Sequence, residues 1–201
     1  MTKAIDSERR LVAIFAADVA GYSRLMATDE VGTLRDFTQR RSILDGQIVS
    51  HHGRIANTAG DSVLAEFGSA VDAVQCAVAA QEALAEANAS ASSDRHINFR
   101  IGVHVGDVMV KGGDLFGDGV NIAARLQTLA TAGGVSISGA AHDQVRKILS
   151  FAFTDLGSQQ VKNIEEPVRA YAVRAAGARL LRGLQYVQRR KCRSRCRTNP
   201  P

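Results

Sequence analysis

The apolar residues of this chain begin as a continuous run, Leu11–Ala17, long enough for a buried strand and stopped by Asp18. Gly21-Tyr22-Ser23 follows. Thr28 or Asp29 is placed to cap a helix starting near Glu30, on which Val31, Leu34, Phe37, Leu44 and Ile48 share one face. Gly53, after His51-His52, is a helix stop. Two short runs, Arg54–Ala59 and Ser62–Phe67, flank Gly60-Asp61, which predicts a hairpin with Asp61 at its tip. Ser69 is placed to cap a second helix with Val71, Val74, Val78 and Ala85 as its buried stripe, and Asn88–Asp94 reads as a loop.

Ile97–Val110 alternates through Phe99, Ile101, Val103 and Val105, with Gly106-Asp107 marking a bulge or turn inside it. Lys111–Gly119 is a loop dense in Gly and Asp; Val120–Ala130 is helical, with Val120, Ala123, Ala124 and Leu126 apolar. Val135–Ser138 reads as a strand and Ala140–Leu149 as a helix. Phe151–Leu156 and Val168–Val173 close the sheet, with Val161-Lys162-Asn163-Ile164 between them. The order predicts an α+β fold, a ferredoxin-like βαββαβ core with additional C-terminal αβ elements. Helices should cover one sheet face, and later elements or a second chain the other.

Composition changes little. Hydrophobic residues at 45% and charged ones at 22% are ordinary for a soluble globular domain. No apolar run reaches the ~18 residues of a membrane helix, and the N-terminus lacks an apolar signal region. Three cysteines (Cys76, Cys192, Cys196) make no disulfide framework and fit a reducing compartment, so a cytoplasmic location is expected. Charge matters more. Of the net +5, residues 176–201 contribute +8, leaving −3 for residues 1–175. The basic character belongs to the tail, so a nucleic-acid role for the whole chain loses its main support. The expected division is a charged lead-in over 1–10, one catalytic-type domain over 11–175, and a basic, disordered tail over 176–201. Contact between that tail and membrane phosphates or nucleic acid is the minor alternative.

The candidate chemistry starts from two carboxylates. Asp18 ends a buried strand, where a charge needs a cation or a donor. Asp61 sits at a hairpin tip, outside its strands' ladder. Two strand-end carboxylates that meet make a site for a hard divalent metal; read alone, Asp61 is equally an ordinary turn residue. Asn121 and Arg125, four apart, share a helix face. His51, His52 and His104 have no partners at zinc spacing.

Five motifs occur in one order: FAADVAGYSRLM, NTAGDSVLAEF, FRIGVHVGDV, GDLFGDGVNIAARL and QVKNIEEPVRAYAV. In this the chain resembles the class III nucleotidyl cyclase catalytic domain, in its bacterial adenylate cyclase form, over about Arg10–Val173. The resemblance implies that Asp18 and Asp61, with the backbone carbonyl of Val19, bind two Mg²⁺ or Mn²⁺ ions per site. It implies conversion of ATP to 3′,5′-cyclic AMP and pyrophosphate, with the ribose 3′-oxygen attacking the α-phosphorus. Asn121 then orients the ribose, Arg125 stabilises the transition-state phosphate and Lys162 contacts the phosphates. It also implies a homodimer whose sites take the metal aspartates from one chain and the remaining groups from the other.

One position departs from the family. Adenine selection there uses a lysine and an aspartate; Asp114 matches the aspartate, but Asn57 stands for the lysine. Asn57 still donates a hydrogen bond, from a shorter, uncharged side chain. The competing expectation is therefore a degenerate cyclase-like domain that binds nucleotide or a partner without turnover, or with relaxed ATP/GTP choice.

Overall fold

The computed structural model describes residues 8–161, 164 and 166–175. Its strands are β1 (Glu8–Val19), β2 (Arg54–Ala59), β3 (Ser62–Phe67), β4 (Phe99–Lys111), β5 (Asp114–Phe116), β6 (Val135–Ser138), β7 (Ala152–Gln159) and β8 (Val168–Arg174). Its helices are α1 (Tyr22–Thr28), α2 (Glu30–Ser50), α3 (Ala70–Asn88), α4 (Asp118–Leu129) and α5 (Gly139–Val145). One sheet runs β2-β3-β1-β4-β6-β8-β7, with β5 hydrogen-bonded to the end of β4. The β2-β3-β1-β4 half is antiparallel throughout and has the strand order of the split βαβ core. The added half joins through the parallel β4–β6 pair. None of the described helices is long and apolar enough to cross a membrane.

Alternation along β1 divides the sheet between two cores. Ala13, Phe15 and Ala17 pack with α2, α3 and α5 in the main core, where Phe15 and Phe67 meet at 5.9 Å. Val12, Ile14 and Ala16 point to the other face, against Ala123 of α4. A later element thus covers the second face, as expected. The approach is close: a Cβ on Gly102 of β4 would lie 2.3 Å from both the Ala123 carbonyl oxygen and the Gln127 nitrogen. Only glycine lets α4 lie directly on that strand.

The hairpin and its boundaries are as read, and so are the caps: Asp29 accepts from the Gly32 N–H and Ser69 from that of Asp72. Other expectations need correction. β1 begins at Glu8, inside the expected lead-in. Val31 (82% exposed) and Leu34 (52%) lie off the buried face of α2, which runs through Thr33, Asp36, Arg40, Leu44 and Ile48. In α3, Leu84 is buried where Ala85 was expected. Gly106-Asp107 interrupts nothing; both pair in register with β1, and Gly106 instead makes room for the His104 ring, 2.6 Å from where its Cβ would be. The expected loop after Lys111 contains β5.

A true bulge occurs in β2. The register against β3 shifts between Ile55 and Asn57, which pair with the consecutive residues Ala65 and Leu64. Ala56 is the extra residue. Ile55 packs on the main core, whereas Leu64, opposite Asn57, packs on the second face. The bulge therefore turns Asn57 to the side of the sheet that α4 covers.

Candidate active site

The register of β1 on β3 brings the two carboxylates together. Ala17 pairs with Val63, so the next residues, Asp18 and Val19, run alongside the tip that carries Asp61. Gly60 takes φ 59° there, a conformation costly for any residue with a Cβ. The turn aims Asp61 back at β1, where Oδ2 accepts the Val19 N–H at 3.2 Å. Asp18, Val19 and Asp61 are thus one cluster, built from a strand end and a hairpin tip.

Sequence reasoning missed Arg100. Its Nε and Nη2 donate to Asp18 Oδ1 and Oδ2 at 3.0 and 2.8 Å, a bidentate ion pair between cross-strand partners. Both side chains are roughly three-quarters buried. The signal was legible: Arg100 precedes the inward Ile101 in an alternating strand, so it faces the second side, where Asp18 also points.

The donor set fits a hard divalent cation. Asp18 and Asp61 supply oxygens only, and each carboxylate has about four lone-pair sites, of which Arg100 uses two on Asp18. No group of three or more His, Cys, Asp or Glu that could hold a metal occurs among the described residues. Mg²⁺ is commonly held by one or two carboxylates completed by substrate phosphates, so two suffice.

The remaining predicted residues lie apart from this cluster. Asn121 and Arg125 are exposed on α4, and among the described residues neither side chain forms a hydrogen bond or ion pair. Asn57 is exposed after the β2 bulge. Asp114 is half-buried and pairs with Lys111 across the β4–β5 hairpin. Lys162 and the tail 176–201 lie outside the described residues. A cleft of about 520 Å³ bordered by α2 and the loop after α3 contains none of these residues; it surrounds Asp36. Burial pushes the Asp36 carboxyl up, but hydrogen bonds from Arg35 and Arg95 outweigh it and hold the group below its usual range. Further along β4, opposite Ile14, burial pulls His104 down to about 4, and its Nδ1 meets Ser138 Oγ at 2.9 Å.

Residues 6–175 match the family described as the adenylate and guanylate cyclase catalytic domain. A putative adenylate cyclase 3 of Rhizobium meliloti is 50% identical over 164 residues, covering 81% of this chain and 28% of that protein. An adenylate cyclase of Streptomyces coelicolor is 29% identical over 190 residues, covering 90% of this chain and 48% of its own. The chain thus spans half or less of these relatives. A solved adenylate/guanylate cyclase/hydrolase from Silicibacter pomeroyi superposes with a TM-score of 0.79 at 41% identity, covering 85% of this chain and all of that one.

Proposed function

The chain belongs to the adenylate and guanylate cyclase catalytic-domain family, and from that premise we propose that it converts ATP to 3′,5′-cyclic AMP and pyrophosphate at sites shared by two copies. One observation carries the reading: Asp61, 43 positions after Asp18, accepts with its carboxylate the N–H of Val19, the residue that follows Asp18.

In this reading Asp18, Asp61 and the Val19 carbonyl hold two Mg²⁺ or Mn²⁺ ions. When bound, these ions make the ribose 3′-hydroxyl more acidic and neutralise charge on the phosphate oxygens. The chain's own groups position the reactants. Arg100 fixes the Asp18 carboxylate in one plane, which keeps the remaining lone pairs aimed outward. Arg125 offers a planar donor fork to the phosphate, suited to charge that builds in the transition state. Asn121, one turn earlier on α4, holds the ribose in line. Asp114 accepts from the adenine amino group, Asn57 donates to a ring nitrogen, and Lys162 contacts the phosphates.

Two features support a site completed by a second copy. Asn121 and Arg125 are presented outward without partners among the described residues. Met109 and Phe116, paired across the β4–β5 hairpin, are 43% and 46% exposed, an apolar pair on the element that carries Asp114.

The test is product formation from ATP and from GTP, offered separately with Mg²⁺ or Mn²⁺. Cyclic AMP formation that disappears in Asp61→Ala and in Arg125→Ala supports the reading. Asn57 favours a second one, a domain that binds nucleotide without turnover or with relaxed base choice; binding with no product from either nucleotide supports that instead.

A further inference from the structure

One arginine ties together the two strands that carry the base-facing residues. Arg54 opens β2, three residues before Asn57. Its Nε donates to Glu66 Oε1 at 2.7 Å and its Nη1 to the Gly113 carbonyl at 2.8 Å. Gly113, at φ 90°, lies in the hairpin joining β4 to β5 and immediately precedes Asp114. Glu66 is itself immobilised. Its side chain is 9% exposed, it pairs with Arg54 across β2–β3, and the same oxygen accepts from Arg10 Nη2 at 2.9 Å. Among the described residues, the Arg54 bond is the one side-chain hydrogen bond that reaches residues 111–117. β5 itself has only three residues paired to β4.

We propose that Arg54, anchored by Glu66, is a positioning residue for base selection: its guanidinium sets the spacing between Asn57 and Asp114. The proposal rests on reading those two as the base-facing pair. A guanidinium suits the task because its donors are fixed in one plane, so one side chain serves two acceptors at a constant separation. A lysine ammonium has no such fork. Arg54 is 43% exposed, so its ion pair adds little to global stability, and its effect should fall on geometry.

The experiment compares wild type, Arg54→Ala and Arg54→Lys by equilibrium binding of non-cyclisable ATP and GTP analogues, and by hydrogen–deuterium exchange over residues 109–116. Arg54→Ala should bind the ATP analogue about 3–10-fold more weakly and lose ATP-over-GTP preference by a similar factor, the equivalent of one mispositioned hydrogen bond. Exchange over 109–116 should quicken. Arg54→Lys should fall between, and serves alone if the alanine variant does not fold. Unchanged exchange overturns the proposal, as does faster exchange with base preference within about twofold of wild type. A wild type that binds neither analogue removes the base-facing assignment itself, and with it the proposal; a discriminating wild type matched by both variants removes only the role of Arg54.

Discussion

Replacing Gly102 by alanine should disable the site without touching any of its residues. The added methyl would sit 2.3 Å from the Ala123 carbonyl oxygen and from the Gln127 nitrogen, both backbone atoms of α4. Ordinary contact begins at 3.4 Å, so the helix must retreat by about 1 Å. Overpacking of this kind costs about 1–3 kcal/mol, which for a domain this size lowers Tm by roughly 3–10 °C. The effect on rate should be larger in proportion. On the proposed reading, Asn121 and Arg125 are positioning groups carried by α4, and a 1 Å misplacement of such groups can cost ~100-fold. Thermal melting gives the first number, and initial rates of cyclic nucleotide formation well below the melt give the second. Mixing identifies the cause. In a heterodimer with Asp18→Ala chains, one site combines the Gly102→Ala chain's intact aspartates with an undisturbed α4, so activity should partly return. In a heterodimer with Arg125→Ala chains, both sites have a damaged helix, and activity should not return. Equal rescue by both partners, or a Gly102→Ala protein with wild-type rate and Tm, would refute the reasoning.

Other outcomes follow from single contacts. His104 is held neutral by burial, its folded value near 4 against 6.5 free, so the unfolded chain binds the extra proton. Its contribution is complete above about pH 6.5 and lost as pH falls toward 4, up to roughly 3 kcal/mol; urea midpoints at pH 7, 5 and 4 should show a steeper acid loss in wild type than in His104→Gln. Arg40→Ala removes donors to the Asn88 side chain and to the Ala87 carbonyl at the end of α3, which should cost about 2–4 kcal/mol by urea midpoint while leaving the rate per folded molecule unchanged. Asn57→Lys restores a charged donor and should raise ATP-over-GTP preference about 3–10-fold; no change in that ratio would count against Asn57 facing the base.

The legible parts of the fold are those with local causes. The β2–β3 hairpin and β6 were read to the residue because turn chemistry and short apolar runs fix them. On α2 the expected face holds from Phe37 through Leu44 and Ile48 but not at Val31 and Leu34, because the first buried turns are polar: Asp36 is matched by Arg35 and Arg95, and Arg40 by Asn88. Hydrophobic periodicity cannot find a helix face built from ion pairs. β5 was hidden because three residues among glycines and aspartates carry no pattern, and only pairing with β4 defines them. Within the proposed site, Asp18 and Asp61 stand out in the sequence by their places at strand ends. Arg100 does not, because its significance comes from the carboxylate across the strand rather than from its own neighbours. The roles proposed for Asn121, Arg125 and Asn57 rest on the family pattern, since nothing in their local sequence distinguishes them from surface polar residues.

Parity along β2 is worth following further. In an unbroken strand, residues three apart project to opposite sides, so Arg54 and Asn57 would be separated by the sheet. The single surplus residue at Ala56 cancels that rule and lets both act on the same side, while Ile55 still reaches the main core. Nucleotide preference in such a strand is therefore exposed to loss by a slip of register as much as by substitution. Pairing the same sequence without the bulge, with Ala56 opposite Leu64, would send Asn57 through the sheet although no residue had changed.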